Sequence, residues 1–310
     1  MEKKKNIVCI GGGTGMPIVL HALKSHDVNL FAIVTMADSG GSTGILRKDY
    51  GTLPTGDVRR ALAVLATTDS PIKELMTYRF KGGALDQQSA GSIFLTSLEQ
   101  VTGSFEAAIT AAAELLKVQG EVLPVTLDNV QLCAELEDGT KLHGEKNIDV
   151  PNGMRASISR TWLEPEANIN PKAQAAFAKA DLIVIGPGDL YTSLIPNLLV
   201  KGVPEAITQS RAKKIYIGNL MTKYGETQNF GAEDFVRAIE EHLSLDHAVF
   251  NTRKPAENVL LEYKKEKSEY ISPPVANKKY ILADILSDEE NFIRHDNGEK
   301  LAQVLLRFLR

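Results

Sequence analysis

The sequence has few cysteines, no long hydrophobic run and no excess of basic charge. Its 310 residues include two Cys and one Trp, and their formal net charge is −4. Cys9 and Cys133 each stand in an apolar run, which is typical of small core side chains in a reducing compartment. The apolar runs are too short for a membrane span or a signal peptide, and nucleic-acid binding would require a basic patch. We therefore expect a cytoplasmic protein with no transmembrane segment and no nucleic-acid partner.

Motifs of nucleophilic and metal-dependent enzymes are also missing. The six His form no pair with metal-ligand spacing, and the chain contains no Gly-x-Ser-x-Gly elbow. Covalent catalysis therefore has no support in the sequence, and no catalytic residue is assigned.

Short apolar runs that alternate with helical segments predict the fold class. The runs are NIVCI (6–10), LFAIVTMA (30–37), DLIVI (181–185) and KKIYI (213–217). Continuous runs of this kind are typical of parallel strands that are buried on both faces. The expected fold is α/β, with a doubly wound, mainly parallel sheet in a single domain over residues 1–310.

Two further patterns complete the expected architecture. Apolar and polar residues alternate around Asp138 and Gly139, which predicts an inserted β-hairpin over about residues 122–145. Three later runs are interpreted as strands: HAVFNTR (247–253), NVLLEYKKE (258–266) and KKYILADIL (278–286).

A glycine-rich turn follows the first strand and is the strongest candidate for a phosphate site. It consists of Gly11, Gly12, Gly13, Thr14 and Gly15. Glycine lets backbone N–H groups approach an anion, and the N-terminus of the following helix favours negative charge. The dinucleotide fingerprint would require its third glycine at Met16, and no Gly-Lys-Ser/Thr follows as in a P-loop. A nucleotide phosphate is therefore expected without an NAD-type motif, and a tight turn without a ligand is the alternative.

A second candidate loop begins with Asp38 at the end of the second strand. A dinucleotide-binding enzyme would place its ribose carboxylate there. In this chain the acid is followed by Gly40, Gly41 and Ser42, and then by Arg47. A carboxylate beside backbone donors and an arginine suits a phosphate held with Mg²⁺, which binds one or two carboxylates together with phosphate oxygens. Asp38 is therefore a candidate Mg²⁺ ligand, and a capped solvent loop is the alternative.

The remaining candidates follow the same logic. Asp57, Arg59 and Arg60 stand near the start of a helix, where Asp57 is alternatively an N-cap. Loops after later strands contribute Gly186, Gly188, Tyr191, Thr192, Ser193, Asn219, Thr222 and Glu226. Because the loops after parallel strands converge on one edge of the sheet, these groups are expected to line one nucleotide-binding crevice. Asn219 and Thr222 are expected on its nucleoside or sugar side.

The ordered motifs resemble a known family. GGGTG, ADSGGSTGILR, PTGDVRRAL, IGPGDLYTS with IPNLL, NLMTKYGET and HDNGEKLAQVL are similar to segments of bacterial gluconeogenesis factors, the YvcK-like nucleotide-sugar-binding proteins. These are relatives of the CofD-type 2-phospho-L-lactate transferases. The resemblance runs over essentially the whole chain. It implies a Rossmann-like fold, UDP-sugar binding and a regulatory role in cell shape and wall synthesis during gluconeogenic growth.

The same resemblance leaves an enzymatic alternative open. CofD-type transferases pass a phospholactyl group from a guanosine diphosphate-linked donor to a deazaflavin with Mg²⁺. A homo-oligomer, such as a dimer, is also expected. The chain departs from the family in one place, because Gln88 and Ser92 replace the usual His and Asn of a His-Ser-x-Gly-Asn stretch. If those side chains position a ligand, the ligand or the activity of this chain differs.

Overall fold

The apolar runs form ten strands in this computed structural model, which describes residues 3–68, 70–151, 153–289, 291–296 and 298–309. In chain order they are β1 (Lys5–Gly11), β2 (Val28–Val34), β3 (Glu121–Pro124), β4 (Gln131–Leu136), β5 (Lys141–His143), β6 (Ile158–Glu164), β7 (Leu182–Ile185), β8 (Lys213–Ile217), β9 (His247–Asn251) and β10 (Tyr280–Ala283).

The helices connect these strands. They are α1 (Gly15–Leu23), α2 (Gly41–Tyr50), α3 (Gly56–Leu65), α4 (Pro71–Leu75), α5 (Ala90–Thr102), α6 (Phe105–Leu116), α7 (Glu145–Asp149), α8 (Pro171–Lys179), α9 (Ile195–Leu198), α10 (Val203–Gln209), α11 (Ala232–Glu240), α12 (Glu257–Lys265) and α13 (Glu299–Leu306). A π-helical turn, Leu190–Leu194, precedes α9. None of the helices in the described part of the chain combines the length and the hydrophobicity that a membrane span requires.

The main sheet has seven parallel strands in the order β10-β9-β8-β7-β1-β2-β3. Ile7 of β1 stands opposite Leu30 of β2 on one side and Leu182 of β7 on the other. Successive residues of β1 and β7 have no exposed surface, as Ile7 and Val8 show, so both faces of the sheet are covered. The strand order reverses at β1, which makes the carboxyl ends of β1 and β7 the expected ligand crevice. The predicted α/β, doubly wound parallel sheet is confirmed.

A small antiparallel sheet, in the order β5-β4-β6, lies between β3 and β7 in the chain. The hairpin expected over about 122–145 begins later than expected, because its two strands are β4 and β5. Glu121–Pro124 pairs with β2 in the main sheet instead. Val122 and Leu123 are both buried, so this run is a short strand covered on both faces and not one arm of a half-exposed hairpin.

The run 258–266 was expected to be a strand, and this was wrong. It forms α12, in which Val259 is the buried residue. Glu257 stands in the first turn and Lys264 and Lys265 in the last, an arrangement that favours the helix dipole. The apolar residues Val259, Leu260 and Leu261 are too few to distinguish a strand from a helix, whereas the charges at the two ends point to a helix.

Candidate functional site

The glycine-rich turn after β1 packs against other loops of the protein. A Cβ on Gly12 would lie 2.6 Å from Oδ2 of Asp57 and 2.5 Å from Cγ2 of Thr35. A Cβ on Gly15 would lie 2.1 Å from the carbonyl oxygen of Pro187. Glycine is therefore required at both positions by the protein's own packing. Gly11 is buried, and Thr14 is the exposed residue of this turn.

Asp57 joins this turn to α3. Its Oδ1 accepts a 3.0 Å hydrogen bond from the N–H of Gly13, and its carboxylate forms an ion pair with Arg60. Burial raises the pKa of Asp57 to about 6, although Arg60 acts in the opposite direction. Thr55 occupies the N-cap position of α3, so the N-cap interpretation of Asp57 was wrong. Asp57 connects the first two loops of the sheet edge.

The loop after β7 is hydrogen-bonded to the residues that follow β8. The Asn219 side chain donates to the carbonyl oxygen of Gly188 at 2.9 Å and accepts from the Tyr216 hydroxyl at 2.7 Å. Thr222 is buried, and its hydroxyl accepts from the N–H of Glu269 at 2.8 Å. Asn219 and Thr222 were expected to contact a nucleoside or sugar. In the structure the Asn219 amide and the Thr222 hydroxyl are hydrogen-bonded to other residues of the protein.

Glu226 forms hydrogen bonds with the first residues of the π-helical turn. It accepts from the N–H of Tyr191 at 3.1 Å and from the hydroxyl of Thr192 at 3.0 Å. Ser193 lies beside the first turn, because its Oγ is 3.0 Å from the position of a Cβ on Gly13. Glu226 therefore orders the loop after β7, which contacts the loop after β1 at Gly186 and Gly188.

Lys223 lies among three carboxylates, one of which belongs to Glu226. Its Nζ lies 2.7 Å from Asp189 and 3.0 Å from Glu226, and it also pairs with Asp149. Burial raises the pKa of Glu226 to about 7, and Lys223 opposes that shift. The carboxylates are spaced closely enough to hold a metal ion, but the ammonium group of Lys223 already lies among them. Sequence reasoning did not identify Lys223 or Asp149.

A polar cavity of about 250 Å³ opens beside Asp38. The first turns of α2, α3, α5 and α7 meet there, so backbone N–H groups without helical partners surround it. Its cationic side chains are Arg59, Arg60, Arg79 and Lys146, and its acids are Asp38, Glu145 and Asp149; Gly40, Gly41, Ser42, Thr43, Gly56 and Ser92 complete the lining. This combination of helix N-termini and arginines suits a multiply charged anion.

The arginines of this cavity are crowded. Burial, and then the neighbouring charges of Arg60 and Arg79, lowers the pKa of Arg59 to about 10. One N–H group of Arg59 donates to the Met76 carbonyl oxygen, while its buried Nε has no partner among the described residues. An anion in the cavity would relieve the mutual repulsion of these cations.

The acids on the other side of the cavity are also close together. Oδ1 of Asp38 accepts from the N–H of Gly40 at 2.8 Å, and Oε2 of Glu145 accepts from the N–H of Ser39 at 3.3 Å. Burial, and then the charge of Asp38, raises the pKa of Glu145 to about 8. Two neighbouring carboxylates fit Mg²⁺, which takes one or two of them and fills its other positions with phosphate oxygens and water.

Arg47 does not reach the cavity. Its guanidinium donates to the carbonyl oxygen of Asp38 at 2.7 Å, and at 2.6 Å to both the Val130 carbonyl and the Asn129 side chain. Through these three hydrogen bonds Arg47 holds the loop that carries Asp38 against the residues before β4. Its expected contact with a phosphate is therefore replaced by a positioning role.

The segment that departs from the family lies at the cavity. The hydroxyl of Ser42 donates to Gln88 at 2.9 Å and accepts from the N–H of Ser89 at 3.1 Å. Ser89 caps α5 by accepting from the N–H of Ser92, and Ser92 lines the cavity. Gln88 and Ser92 thus stand where a change of side chain alters the surroundings of a ligand.

A larger groove elsewhere has the wrong chemistry for a charged ligand. It measures about 630 Å³ and lies between α2 and α5, with Ile45, Tyr50 and Val101 in its lining. It contains no lysine or arginine among its described lining residues. The polar cavity beside Asp38 is therefore the candidate site.

Comparison with known proteins identifies the family. The family model described as 2-phospho-L-lactate transferase CofD matches residues 7–288. The chain belongs to the CofD family. Similar proteins include the gluconeogenesis factors of Listeria innocua, with 40% identity over 99% of this chain and 97% of that protein, and of Halalkalibacterium halodurans, with 39% identity over 98% and 96%.

A solved structure supports the same assignment. The crystal structure of a Bacillus halodurans protein superimposes with a TM-score of 0.93 and 38% sequence identity, covering 98% of this chain and 100% of that chain. The expected resemblance to the gluconeogenesis factors and the CofD family is thereby confirmed.

Proposed function

We propose that this chain is a gluconeogenesis factor that binds a nucleotide sugar, with the diphosphate in the cavity beside Asp38 and the ligand linked to UDP. The observation that carries the proposal is the meeting of three arginines with the first turns of α2, α3 and α5 around one cavity. A diphosphate has the charge and the acceptor oxygens that such a site recognises. The relatives named gluconeogenesis factors supply the biological context.

The arrangement of charge also supports Mg²⁺ as a companion of the diphosphate. Asp38 and Glu145 would hold the ion, and the arginines would contact the phosphate oxygens on the other side of the cavity. When bound, the ion would neutralise part of the diphosphate charge. The protein's own contribution is to keep both carboxylates in place through the N–H groups of Gly40 and Ser39.

The role that follows from this proposal is regulatory. A chain that binds a UDP-sugar and releases it unchanged reports the level of a precursor of wall synthesis. This agrees with a function in cell shape during gluconeogenic growth, carried out in the cytoplasm.

Calorimetric titration tests the ligand. UDP-sugars, UDP, GDP and NADH are titrated separately with and without Mg²⁺, and UDP-sugars are expected to bind most tightly. Arg79→Gln, an exposed change at the cavity, should weaken binding at least tenfold, or about 1.4 kcal/mol. The matched control is Arg237→Gln on α11, where the exposed arginine forms an ion pair with Asp234. Equal affinity of the parent and Arg79→Gln, or no binding of UDP-sugars, contradicts the proposal.

A second candidate function is a CofD-type transfer reaction, and the match to the CofD family model favours it. The cavity could then orient a nucleotide diphosphate donor by charge, with no covalent step on the protein. Chromatography of a mixture of donor, deazaflavin and Mg²⁺ distinguishes the two functions. Transfer of a phospholactyl group supports the enzyme, whereas binding of UDP-sugar without turnover supports the regulator.

A further inference from the structure

One face of the small antiparallel sheet carries a thiol, an imidazole and a carboxylate. Cys133 of β4 stands directly opposite His143 of β5 on one side and Trp162 of β6 on the other. Glu164 is two residues beyond Trp162 on the same strand, and therefore on the same face. Three strands thus bring three side chains with metal-binding atoms to one place.

Cys133 has no exposed surface, but it lies outside the contiguous hydrophobic cluster around the main sheet. Its neighbours Leu132 and Ala134 are core residues, and Cys133 is not among them. Because successive side chains of a strand point to opposite faces, Cys133 points to the outer face of the small sheet. His143 and Glu164 are more than half exposed there. The expected burial of Cys133 is confirmed, and its thiol lies against the imidazole of His143.

The distances between the three groups match those around a tetrahedral ion. Sγ of Cys133 lies 3.4 Å from Nδ1 of His143, which lies 3.8 Å from Oε2 of Glu164. All three atoms lie within 4.8 Å of one another. Bond lengths of about 2.3 Å to sulfur and about 2.0 Å to nitrogen or oxygen place tetrahedral ligands about 3.3–3.6 Å apart. Small side-chain adjustments would therefore suffice to enclose an ion.

We propose that Cys133, His143 and Glu164 bind Zn²⁺ or a divalent ion of similar softness, with water in the fourth position. A thiolate and an imidazole select such ions over Mg²⁺ and Ca²⁺, which prefer oxygen ligands. The indole N–H of Trp162 donates to Oε1 of Glu164 at 2.7 Å and leaves Oε2 for the ion. Outer contacts of this kind commonly orient metal ligands.

The ion would fasten β4, β5 and β6 to one another. A ligand that binds the folded state and not the unfolded state raises the free energy of unfolding. The site uses no residue of the cavity beside Asp38, so its occupancy and nucleotide binding are measured independently.

Cobalt substitution tests the thiolate ligand. Co²⁺ titrated into the metal-free, reduced protein should give a thiolate-to-metal charge-transfer band that saturates at one equivalent, with the visible bands of a tetrahedral ion. Zn²⁺ should displace it. Cys133→Ser should abolish the charge-transfer band, while the control Cys9→Ala, in the buried centre of β1, should retain it. A parent protein without the band overturns the proposal.

Calorimetry with Zn²⁺ tests the other ligands. His143→Gln and Glu164→Gln change exposed side chains, so folding should be preserved. Each should weaken Zn²⁺ binding at least tenfold, and Trp162→Phe should weaken it by about tenfold while keeping the charge-transfer band. Zn²⁺ should raise the melting temperature of the parent but not of His143→Gln. Unchanged affinity in His143→Gln and Glu164→Gln contradicts the site.

Discussion

The loop after β2 and the loop after β7 both place a glycine-rich turn and an aspartate at the carboxyl edge of the sheet, but their charges are balanced differently. Asp189 meets the ammonium group of Lys223 at 2.7 Å. Among the residues that the structure describes, Asp38 and Glu145 form no ion pair, and the arginines across the cavity crowd one another. The loop after β7 thus receives a cation from the loop after β8, whereas Asp38, Glu145 and Arg59 have no ion-pair partner among the described residues. A polar residue at a strand end therefore indicates a binding site only when its neighbours leave its charge unmet.

Removing the positive charge of Lys223 should lower the free energy of unfolding more than any other change considered below. Lys223→Met removes the ion-pair partner of the buried Glu226 beside Asp149 and Asp189, and breaking a buried pair costs about 3–5 kcal/mol. Urea denaturation should show that loss of unfolding free energy. Lys254→Met, which removes the exposed pair with Glu257, is the control and should cost below about 1 kcal/mol. Equal losses in the two variants would show that Lys223 does not stabilise the loop after β7.

The loop after β8 should also be sensitive to acid. The buried His295 donates from Nε2 to the carbonyl oxygen of Gly218 at 2.8 Å, which requires a proton on Nε2. Burial lowers the pKa of His295 to about 4 from its ordinary value of 6.5. The unfolded chain therefore binds the proton first, and stability falls as the pH drops from about 6.5 to about 4, by an amount on the order of 3 kcal/mol.

Replacing the ring isolates this contribution. In His295→Gln the amide can donate the same hydrogen bond but does not titrate. The difference in unfolding free energy between parent and variant should change with pH only in that acidic window. A constant difference from pH 7 to pH 4 would contradict the neutral, buried ring.

Gly12→Val sharpens the comparison by testing whether the first turn serves packing. The valine side chain would overlap Asp57 and Thr35, so we expect a loss of about 1–3 kcal/mol in unfolding free energy. Thermal denaturation measures it. Thr14→Val, at the exposed position of the same turn, should leave the melting temperature nearly unchanged. A stable Gly12→Val protein that has lost only nucleotide affinity would instead place the ligand against this turn.

Asp38→Asn should have the smallest effect on folding and a selective effect on binding. The amide keeps the size and the hydrogen bond from Gly40 while losing the charge. The gain in UDP-sugar affinity on adding Mg²⁺ should disappear, while the affinity without Mg²⁺ changes little. Isothermal titration measures both. An unaltered Mg²⁺ response excludes Asp38 as a ligand of the ion, and an equal loss with and without Mg²⁺ indicates a ribose contact.

Local sequence patterns accounted for much of the fold. Buried runs such as NIVCI and DLIVI predicted the central strands because a strand covered on both faces needs continuous apolar residues. The patterns failed in short segments, where few residues distinguish a sheet strand from a hairpin arm or a strand from a helix. Glu121–Pro124 and α12 are the two cases.

The candidate site was less accessible from the sequence. Asp38 and Arg59 were identified because they follow the strand ends that the fold brings together. Arg79 and Glu145 were missed, since they come from separate segments with no local signature and reach the cavity only through tertiary packing. The orientation of Arg47 toward backbone carbonyls is likewise set by the position of β4, which a local pattern does not contain.

The position of β1 has a consequence for synthesis of the chain. The side chain of Asn6 in β1 accepts a hydrogen bond from Asn29 of β2, which is 23 residues away in the chain. The N–H of Asn6 donates to the side chain of Asp181, just before β7 and 175 residues away. One edge of this central strand therefore stays open until more than half of the protein has left the ribosome. Long-range parallel pairing of this kind is slow and prone to aggregation. A nascent chain that stops before Leu182 would expose that edge, so chaperone demand should fall sharply once β7 emerges.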